Sequence, residues 1–523
     1  MPAGDQFFLL GIDGGCWEII EPLIAQGKLP NLARMMREGA YGDLLAENPF
    51  SPPSWATIAT GLSAKEHGFS HFTRHLPGKL ERVFLNYSMV DAPCIWEIVE
   101  SEGKRAGVLK WQSLPQYPRN LVTQSEKNLI LSGMGFSFIL KALRIKLARY
   151  FRLPYIRYRF IRENIATDWQ MRVTEYVLKR KSPHFMAYRI FSTDEFQHCF
   201  WKYHFSSRYK VDPADLKKYG TAISDLYQKV DKFIGKLIKG NIENILIVSD
   251  HGFKGFSREP EQTLAALYNV NYEKILNKLG LLQYRENKGS IDWKRTKAYW
   301  CGDPRFFHEF AINLKEREPD GSVSREDYER VREELKGAFE SVRFQDTGER
   351  LFTKITLHDG TPYYKHIDFN FLGEEVRLWN NDAFDLIIED GYKCRFQDDS
   401  IMKKRVIIGS NAYEMREFLT PSIWSAGHSL RGIFMARGKD IKAGRINALS
   451  TLDIAPSLLF WMKLPIPSSM EGKIQTGIFK DEFIRQNPAK ITATKAQPRS
   501  AGAKLSKGEE ERIKEDLRGL GYL

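Results

Sequence analysis

The sequence is poor in cysteine and has no long apolar run, and these absences exclude several classes of protein. Its 523 residues include only five cysteines, an odd number without a CxxC pair, so neither a disulfide framework nor a zinc finger is predicted. No stretch of about 18 apolar residues occurs, which argues against a transmembrane helix. The N-terminal apolar run follows no basic residue and ends at Asp13, unlike a secretory signal peptide. A reduced, cytoplasmic location is therefore expected.

Positive charge is unevenly distributed along the chain. There are 78 Lys and Arg against 65 Asp and Glu, a net charge of +13. Residues 136–162, the basic segment, hold eight Lys or Arg and no acid, with apolar residues at helical spacing. This segment is either a solvated helix that packs its apolar side on the domain, or a surface for anionic lipid or a polyanionic substrate. No nucleic-acid-binding module accompanies it, so no specific nucleic-acid partner is predicted.

Short apolar runs alternate with longer segments of helical pattern. Read as buried parallel strands with helices between them, the runs predict an α/β fold with a mostly parallel sheet sandwiched by helices. The runs are FFLLGI (7–12), AGVLK (106–110), FMAYRIF (185–191), NILIVS (244–249) and GIFMAR (432–437).

The remaining sequence suggests an insertion and a tail. Polar, irregular sequence over residues 256–420 predicts an inserted cap or accessory region. The catalytic α/β core would then comprise residues 1–255, including the basic segment, and 421–486. Residues 487–523 begin rich in Ala, Lys, Pro and Ser and end in a short helical pattern, which predicts a flexible linker and a C-terminal helix.

Three acidic residues follow predicted strands closely. Asp13, Asp194 and Asp250 each lie within three residues of the end of an apolar run. Because the carboxyl ends of parallel strands meet at one edge of a sheet, where ligands of α/β proteins bind, we expect the three carboxylates to converge.

Histidines accompany these acids in short motifs. His198 follows Asp194 by four residues in TDEFQH, which places both on one face of a helical turn. His251 follows Asp250 directly in SDHGF, and His428 stands in AGHSLRG before another apolar run. Carboxylates and imidazoles can hold two divalent cations about 4 Å apart, the arrangement that assists attack on phosphorus.

Ser51 opens the segment SPPSWATIATGL, which predicts a helix that starts at Ser51 and ends at Gly61. A hydroxyl at a helix N-terminus lies where the helix dipole favours an anion, which suits both an activated nucleophile and an arriving phosphate. The alternative is that Ser51 serves only as a helix N-cap.

These motifs together resemble the alkaline phosphatase superfamily, in its type I phosphodiesterase/nucleotide pyrophosphatase-like branch of predicted phosphohydrolases and phosphomutases. The resemblance runs in the family's order from residue 7 to about residue 473. Its pieces are LLGIDGG, SPPSWATIATGLSAKEHGF, TDEFQH, SDHGF, AGHSLRG and STLDIAPSLLFWMKLPIPSSMEGK, together with FAINLKEREPDG and the terminal LRGLGYL.

The resemblance implies an alkaline-phosphatase-like fold and a role for each residue of the motifs. One divalent metal would be held by Asp13, Ser51, Asp250 and His251, and a second by Asp194, His198 and His428. Ser51 would be the nucleophile that is transiently phosphorylated. Zinc is the metal expected from the phosphodiesterase branch, and manganese occupies the same ligand pattern in the phosphoglycerate mutase branch.

Two departures from family patterns surround Ser51. Nucleotide pyrophosphatases usually carry Thr-Phe-Pro-Asn, whose Asn helps to hold the phosphoryl oxygens, whereas this chain has Ser51, Pro52, Pro53 and Ser54. Ser54 is therefore the expected substrate-binding residue, with a shorter reach. Sulfatases have an Arg where this chain has Trp55, which argues against sulfatase maturation.

The predicted function is metal-dependent hydrolysis of a phosphate ester, preferably a diester, through phosphoserine at Ser51. Two alternatives remain open. A phosphomutase would return the phosphoryl group to its substrate, and a membrane-associated transferase would move a phospho-alcohol head group with the help of the basic segment. His67 in KEHGF and Asp453 in TLDIAP match family positions but are expected to be structural.

Overall fold

The computed structural model covers most of the chain. The residues that it describes are 6–69, 71, 73–78, 80, 83–84, 90, 92–111, 127, 155–209, 211–255, 266–286, 289–302, 308–361, 365–371, 374–380, 382–388, 396–397, 399–421 and 424–493.

Helices flank the sheet and also occur in the 256–420 region. In chain order they are α1 (Trp17–Ala25), α2 (Pro30–Glu38), α3 (Ser51–Thr60), α4 (Ala64–His67), α5 (Ile95–Ser101), α6 (Tyr155–Lys181), α7 (Ser192–His204), α8 (Pro213–Tyr219), α9 (Ala222–Lys239), α10 (Tyr272–Lys278), α11 (Tyr328–Ser341), α12 (Ile454–Trp461) and α13 (Asp481–Gln486).

The strands form one large sheet and several small ones. They are β1 (Phe7–Ile12), β2 (Ala40–Leu45), β3 (Thr73–Arg74), β4 (Val83–Phe84), β5 (Ala106–Leu109), β6 (Phe185–Ile190), β7 (Asn244–Val248), β8 (Gly252–Gly255), β9 (Ala266–Val270), β10 (Ala298–Trp300), β11 (Glu309–Ile312), β12 (Arg343–Phe344), β13 (Ile355–Leu357), β14 (Lys365–Phe371), β15 (Glu374–Asn380), β16 (Leu386–Ile388), β17 (Phe396–Gln397), β18 (Arg405–Ile408), β19 (Asn411–Glu414), β20 (Leu419–Pro421), β21 (Ala426–Ser429), β22 (Arg431–Arg437), β23 (Gly444–Arg445), β24 (Leu449–Ser450), β25 (Ile466–Pro467) and β26 (Ile491–Thr492).

The large sheet has the strand order β23-β2-β22-β7-β1-β6-β5, with β24 beside β2. Strands β7, β1, β6 and β5 pair in parallel, as their apolar runs predict. The prediction that GIFMAR is another parallel strand is wrong, because β22 is antiparallel to both β7 and β2. The reason is its starting point: β22 begins just after His428 at the carboxyl edge of the parallel strands, so the chain can only run back across the sheet.

Helices cover both faces of this sheet, which confirms the predicted α/β class. Alternate residues of a strand point to opposite faces, and Leu9 lies in a different hydrophobic cluster from its neighbours Phe8 and Leu10. Side chains of α1, α2, α6, α7 and α9 pack on the face of Phe8, and those of α3, α5, α12 and α13 pack on the face of Leu9. This three-layer arrangement, as expected from the family resemblance, places the core on both sides of β1.

Residues within the predicted cap region form a separate hydrophobic cluster between Tyr268 and Leu419. It is built around the four-stranded sheet β10-β11-β16-β13, with α11 among the packed helices. His75, which lies in the first part of the predicted catalytic core, contacts the 256–420 region: its backbone N–H donates to Asp382 Oδ1 at 2.7 Å, and its Nε2 lies 3.2 Å from the Tyr299 hydroxyl. The precise cap boundaries remain a prediction.

The two remaining predicted segments lie partly outside the described residues. Residues 155–162 of the basic segment form the start of α6, and 136–154 are not described. In the predicted linker, residues 490 and 492 pair with the backbone of 466–468, and the predicted C-terminal helix lies beyond the described residues. Within the described ranges, no helix is both long and apolar enough to cross a membrane.

Candidate metal centre

Seven predicted site residues meet at the carboxyl edge of the parallel strands. Asp13 follows β1, and Asp250 and His251 follow β7. Asp194 and His198 lie on α7, which begins two residues after β6. His428 is carried by β21, a short strand paired with β8 just beyond His251, and Ser51 is the first residue of α3. All seven side chains are buried.

The carboxylates and imidazoles divide into two groups that could each hold a cation. Asp13, Asp250 and His251 offer ligand atoms within 4.8 Å of one another, and Asp194, His198 and His428 form a second such group. The groups adjoin, because the His251 and His428 rings stack with centroids 3.7 Å apart. This is the division that the family resemblance implies for the two metals.

The three histidines hold their rings by the same kind of hydrogen bond. The Nδ1 atoms of His198, His251 and His428 lie 2.8, 2.9 and 2.5 Å from the backbone oxygens of Ala426, Gly252 and Pro49. A carbonyl can only accept, so each Nδ1 carries a proton and each Nε2 of a neutral ring presents a lone pair. Ligand histidines are typically oriented in this way by their second nitrogen.

Several lone pairs then face one another without a proton between them. The Nε2 atoms of His198 and His428 are 3.0 Å apart, and His428 Nε2 is 3.2 Å from Asp194 Oδ1. Asp194 Oδ1 and Asp250 Oδ2 are buried and have no hydrogen-bond partner among the described residues. Buried acceptors without donors are costly, and a cation bound between them would satisfy all of them. The donor set therefore fits divalent metals.

Burial shapes the acid–base properties of the group around Asp13. Burial, reinforced by the charge of Asp250, raises the pKa of Asp13 well above its usual range. Burial also raises the pKa of Asp250 to about 7 and lowers the pKa of His251 to about 4. Without a cation, the group around Asp13 thus disfavours the charged form of these two carboxylates, which metal binding needs.

Ser51 points into this cluster and does not cap its helix. The N-cap of α3 is Phe50, and no side-chain cap hydrogen bond is made there. Ser51 Oγ lies 3.3 Å from Asp13 Oδ1 and 3.2 Å from His251 Nε2. The helix ends as predicted at Gly61, whose φ of +68° is readily adopted by glycine.

The N-terminus of α3 offers fewer free backbone N–H donors to an anion than a helix start usually does. Pro52 and Pro53 have no backbone N–H, and Ser54 N–H donates to the Phe50 carbonyl. The Ser54 hydroxyl donates to the carbonyl of Asn48 in a short hydrogen bond. Asn48 Oδ1 accepts from Phe50 N–H at 3.0 Å, while its Nδ2 is buried without a partner among the described residues.

Two residues at this site were missed by the sequence analysis. Arg189 Nη1 donates to Asp13 Oδ2 at 2.5 Å, and Trp55 Nε1 donates to the same oxygen at 3.3 Å. The sequence offers a signal for Arg189, because a charged residue within a buried strand such as FMAYRIF needs an oppositely charged partner. Nothing in the sequence marks Trp55 as a partner of Asp13.

The two family positions expected to be structural are accounted for by local hydrogen bonds. His67 accepts the Phe69 N–H at Nδ1 and lies 3.1 Å from the Thr57 hydroxyl through Nε2, which joins α4 to α3. Asp453 accepts from the Ser450 and Lys473 backbone N–H groups, as a capping residue does.

Buried carboxylates, imidazoles and a hydroxyl gathered at the carboxyl edge of a sheet are typical of an active site. A family model described as Type I phosphodiesterase / nucleotide pyrophosphatase matches residues 7–411. The chain therefore belongs to this family, which confirms the resemblance to the alkaline phosphatase superfamily, and it is a phosphoric ester hydrolase. The match includes Asp13, Ser51 and Asp250 and ends before His428. No curated protein matches the chain.

Proposed function

We propose that the protein hydrolyses phosphodiesters with Ser51 as nucleophile and two divalent cations, zinc in the first place and manganese as the alternative. The observation that carries this proposal is the position of Ser51 Oγ, 3.3 Å from Asp13 Oδ1 and 3.2 Å from His251 Nε2. The hydroxyl is thus directed at the ligand atoms of one group while the other group lies directly beside it.

The residues would share the cations as the family resemblance implies. Asp13, Asp250, His251 and the Ser51 oxygen would hold one, and Asp194, His198 and His428 the other. When bound, two such cations would favour the alkoxide form of the serine hydroxyl and offset the negative charge that develops on the phosphoryl oxygens and the leaving group.

The covalent chemistry is a double displacement at phosphorus. Ser51 Oγ forms a bond to phosphorus, the bond from phosphorus to one alcohol oxygen breaks, and that alcohol leaves with a proton. A water molecule then attacks the phosphorus of this Ser51 adduct, which still carries the second ester group. The bond between phosphorus and Oγ breaks, Oγ takes a proton from the water, and a phosphomonoester is released. Burial of Ser51 and of the surrounding ligands strengthens the electrostatic interactions that stabilise this charge.

A phosphoryl oxygen also needs a hydrogen-bond donor near the start of α3. Ser54 is our proposed substrate-binding residue, but its single proton is directed to the Asn48 carbonyl. Ser54 would therefore have to exchange that bond for one to the substrate. Asn48 Nδ2 is the unused donor of the same loop, and it offers a second group for this role.

We also propose a cytoplasmic location, with contact to an anionic membrane surface through the basic segment. Its net charge of eight supports this idea. The described part of the segment does not support it uniformly, because Arg159 is buried in the fold.

Turnover of a substrate panel by metal-stripped and reloaded protein tests the main proposal. The panel comprises aryl phosphate diesters, monoesters, phosphonates and sulfates, each with zinc or manganese. We expect the diester to be cleaved best. Ser51→Ala should lose turnover by roughly three orders of magnitude or more while binding two equivalents of zinc. During turnover of a diester, the peptide of the native enzyme that contains Ser51 should gain the phosphoryl group together with its remaining ester group.

Ser54→Ala is the matched control, since it removes a hydroxyl one helical turn away. It should keep the covalent intermediate and lose only part of the turnover. Full activity of Ser51→Ala on the best substrate would rule out the covalent mechanism. Isomerised substrate in place of a released alcohol would identify a mutase.

A further inference from the structure

The two oxygens of the Asp13 carboxylate have different surroundings. Oδ1 faces the cluster, 3.3 Å from Ser51 Oγ and 3.6 Å from His251 Nε2. Oδ2 faces away from it and accepts hydrogen bonds from Arg189 Nη1 at 2.5 Å and from Trp55 Nε1 at 3.3 Å. Only one oxygen of Asp13 is therefore open to a cation.

Arg189 is itself held firmly in place. Its Nε donates to the carbonyl of Lys110 at 2.9 Å, and its guanidinium lies 5.9 Å from the ring centroid of Trp55 and 5.1 Å from that of Phe191. Lys110 follows β5 with φ of +58°, in the left-handed region, and this turn presents its carbonyl to Arg189. The side chain is only 7% exposed, so little freedom remains at its charged end.

Trp55 reaches Asp13 because β1 leaves room for its ring. Trp55 lies one turn after Ser51 on α3, and its indole crosses β1 at Gly11. A Cβ at residue 11 would lie 2.5 Å from Trp55 Cη2 and 3.4 Å from Arg189 Cγ. A glycine two residues before Asp13 thus allows both donors to approach the same carboxylate oxygen.

We propose that Arg189 and Trp55 are positioning residues, which occupy Oδ2 of Asp13 so that Oδ1 alone binds a cation and meets the Ser51 oxygen. A carboxylate with both oxygens free can rotate or chelate a cation through both of them. With Oδ2 held from two elements, Asp13 offers a single oxygen in a fixed direction. The inference rests on the proposed metal-binding function but concerns residues that the family motifs leave without a role.

The guanidinium also matters for charge. Asp13, Asp194 and Asp250 bring three buried carboxylates together, and the guanidinium of Arg189 contacts Asp13 directly. The positive charge of Arg189 partly neutralises Asp13, which should weaken the attraction between Asp13 and a metal. Its hydrogen bond to Oδ2, in contrast, fixes the direction of Oδ1, which should strengthen metal binding. Partners of this kind typically change metal affinity or activity 10–100-fold, and we infer that the directional effect prevails.

Zinc binding measured against a competing fluorescent chelator tests this inference without any substrate. Arg189→Met should weaken one of the two zinc equivalents by roughly 10–100-fold and leave the other unchanged. Arg189→Lys keeps the positive charge, but a lysine cannot donate both to the Lys110 carbonyl and to Asp13 Oδ2 as the guanidinium does. It should therefore weaken binding of the same zinc equivalent. Trp55→Phe should weaken that equivalent less. With cobalt in place of zinc, the visible spectrum of the same site should shift in each variant.

Arg317→Met provides the matched control. Arg317 is a mostly buried arginine that pairs with Asp385 inside the 256–420 region, so its loss should change neither zinc equivalent. If Arg189→Met fails to fold, Arg189→Lys and Trp55→Phe still decide the matter. Unchanged binding of both equivalents in folded Arg189 variants would overturn the inference. Tighter binding in Arg189→Met would also overturn it, because the charge of Arg189 would then outweigh its effect on the direction of Oδ1. A native protein that binds neither zinc nor manganese would instead refute the proposed function.

Discussion

His198 and His428 direct their Nε2 atoms at each other across 3.0 Å, while each Nδ1 is turned to a backbone carbonyl. In neutral rings this arrangement opposes two lone pairs, and Asp194 Oδ1 lies 3.2 Å from His428 Nε2 as a third acceptor. A shared cation removes the conflict, since all three atoms can coordinate it. The arrangement of these three acceptors therefore favours a cation bound between them.

The first prediction concerns the number of metals bound. His428→Gln should reduce bound zinc from two equivalents to one after dialysis, because Asp194 and His198 alone provide too few ligands. Atomic absorption on the dialysed protein measures this number. His204→Gln, at the end of the same helix as His198 but outside both groups, should retain two. Equal zinc content in the two variants would contradict the assignment of His428.

The second prediction uses the raised pKa of Asp250, which burial brings to about 7 from an ordinary value of 3.8. Between these pH values the folded, metal-free protein keeps a proton that the unfolded chain has lost. Stability from this group is thus fully present below the unfolded value and is lost as pH rises through about 7.

Asp250→Asn should remove this dependence. At pH 8 the metal-free variant should be more stable than the native protein, on the order of a few kcal/mol, and the difference should shrink toward pH 4. With zinc the order should reverse, because the variant loses a ligand. Urea unfolding with and without a chelator measures both effects. A variant that is less stable than the native protein at pH 8 without metal would contradict the account.

The cluster could be predicted from sequence because its ligands lie in short local motifs. Asp194 and His198 share a helical turn, and Asp250 and His251 share a strand end, so the α/β sheet needed only to bring strand ends together. The predicted direction of β22 was wrong because an apolar run does not indicate which way a strand runs. The true direction follows from the position of His428, which lies at the carboxyl edge of the parallel strands just before β22 begins.

The hydrogen-bond partners of Asp13 could not be predicted from the sequence, for a different reason. Arg189 and Trp55 are separated from Asp13 by 176 and 42 residues, and the contacts exist only after three elements have packed. The hydrogen bond of the Ser54 hydroxyl could not be predicted from sequence either. Its position in the motif predicts a contact with the substrate, whereas the loop before α3 places the Asn48 carbonyl within reach of the hydroxyl.

The third prediction separates two arginines of the basic segment. Arg159 is 2% exposed and forms an ion pair with Glu195 at 2.5 Å, on the helix that carries Asp194 and His198. Arg159→Met leaves Glu195 buried and unpaired, which should cost about 3–5 kcal/mol of stability in urea unfolding. Arg157 is exposed, so Arg157→Ser should change stability by less than about 0.5 kcal/mol.

Vesicle binding should respond in the opposite order. If the basic segment contacts an anionic surface, Arg157→Ser should weaken co-sedimentation with phosphatidylserine vesicles by about 1 kcal/mol. Arg159→Met, while folded, should sediment as the native protein does, because its charge is already paired inside the fold. Loss of sedimentation in Arg159→Met alone would contradict the division between the two residues.

The fourth prediction tests the close approach between Gly11 and Trp55. The new methyl group of Gly11→Ala would lie 2.5 Å from Trp55 Cη2 and 2.8 Å from Cζ3, so the indole must move. We expect a loss of roughly 1–3 kcal/mol in urea unfolding. Gly337→Ala is the control, since no neighbouring atom lies within 4 Å of its added Cβ, and a helical alanine there should be neutral or stabilising by up to about 1 kcal/mol.

Trp55→Phe identifies the cause of this loss. The crowded carbons Cη2 and Cζ3 belong to the six-membered ring of the indole, which extends further from the backbone than the single ring of phenylalanine. If that ring is the obstacle, Gly11→Ala should cost less in a Trp55→Phe background than in the native one, and the two changes should not add. Full additivity would mean that the methyl group acts elsewhere, for example on Arg189 Cγ at 3.4 Å. Coupling between the two changes would show that the glycine of β1 and the tryptophan of α3 are fitted to each other beside the carboxylate that they support.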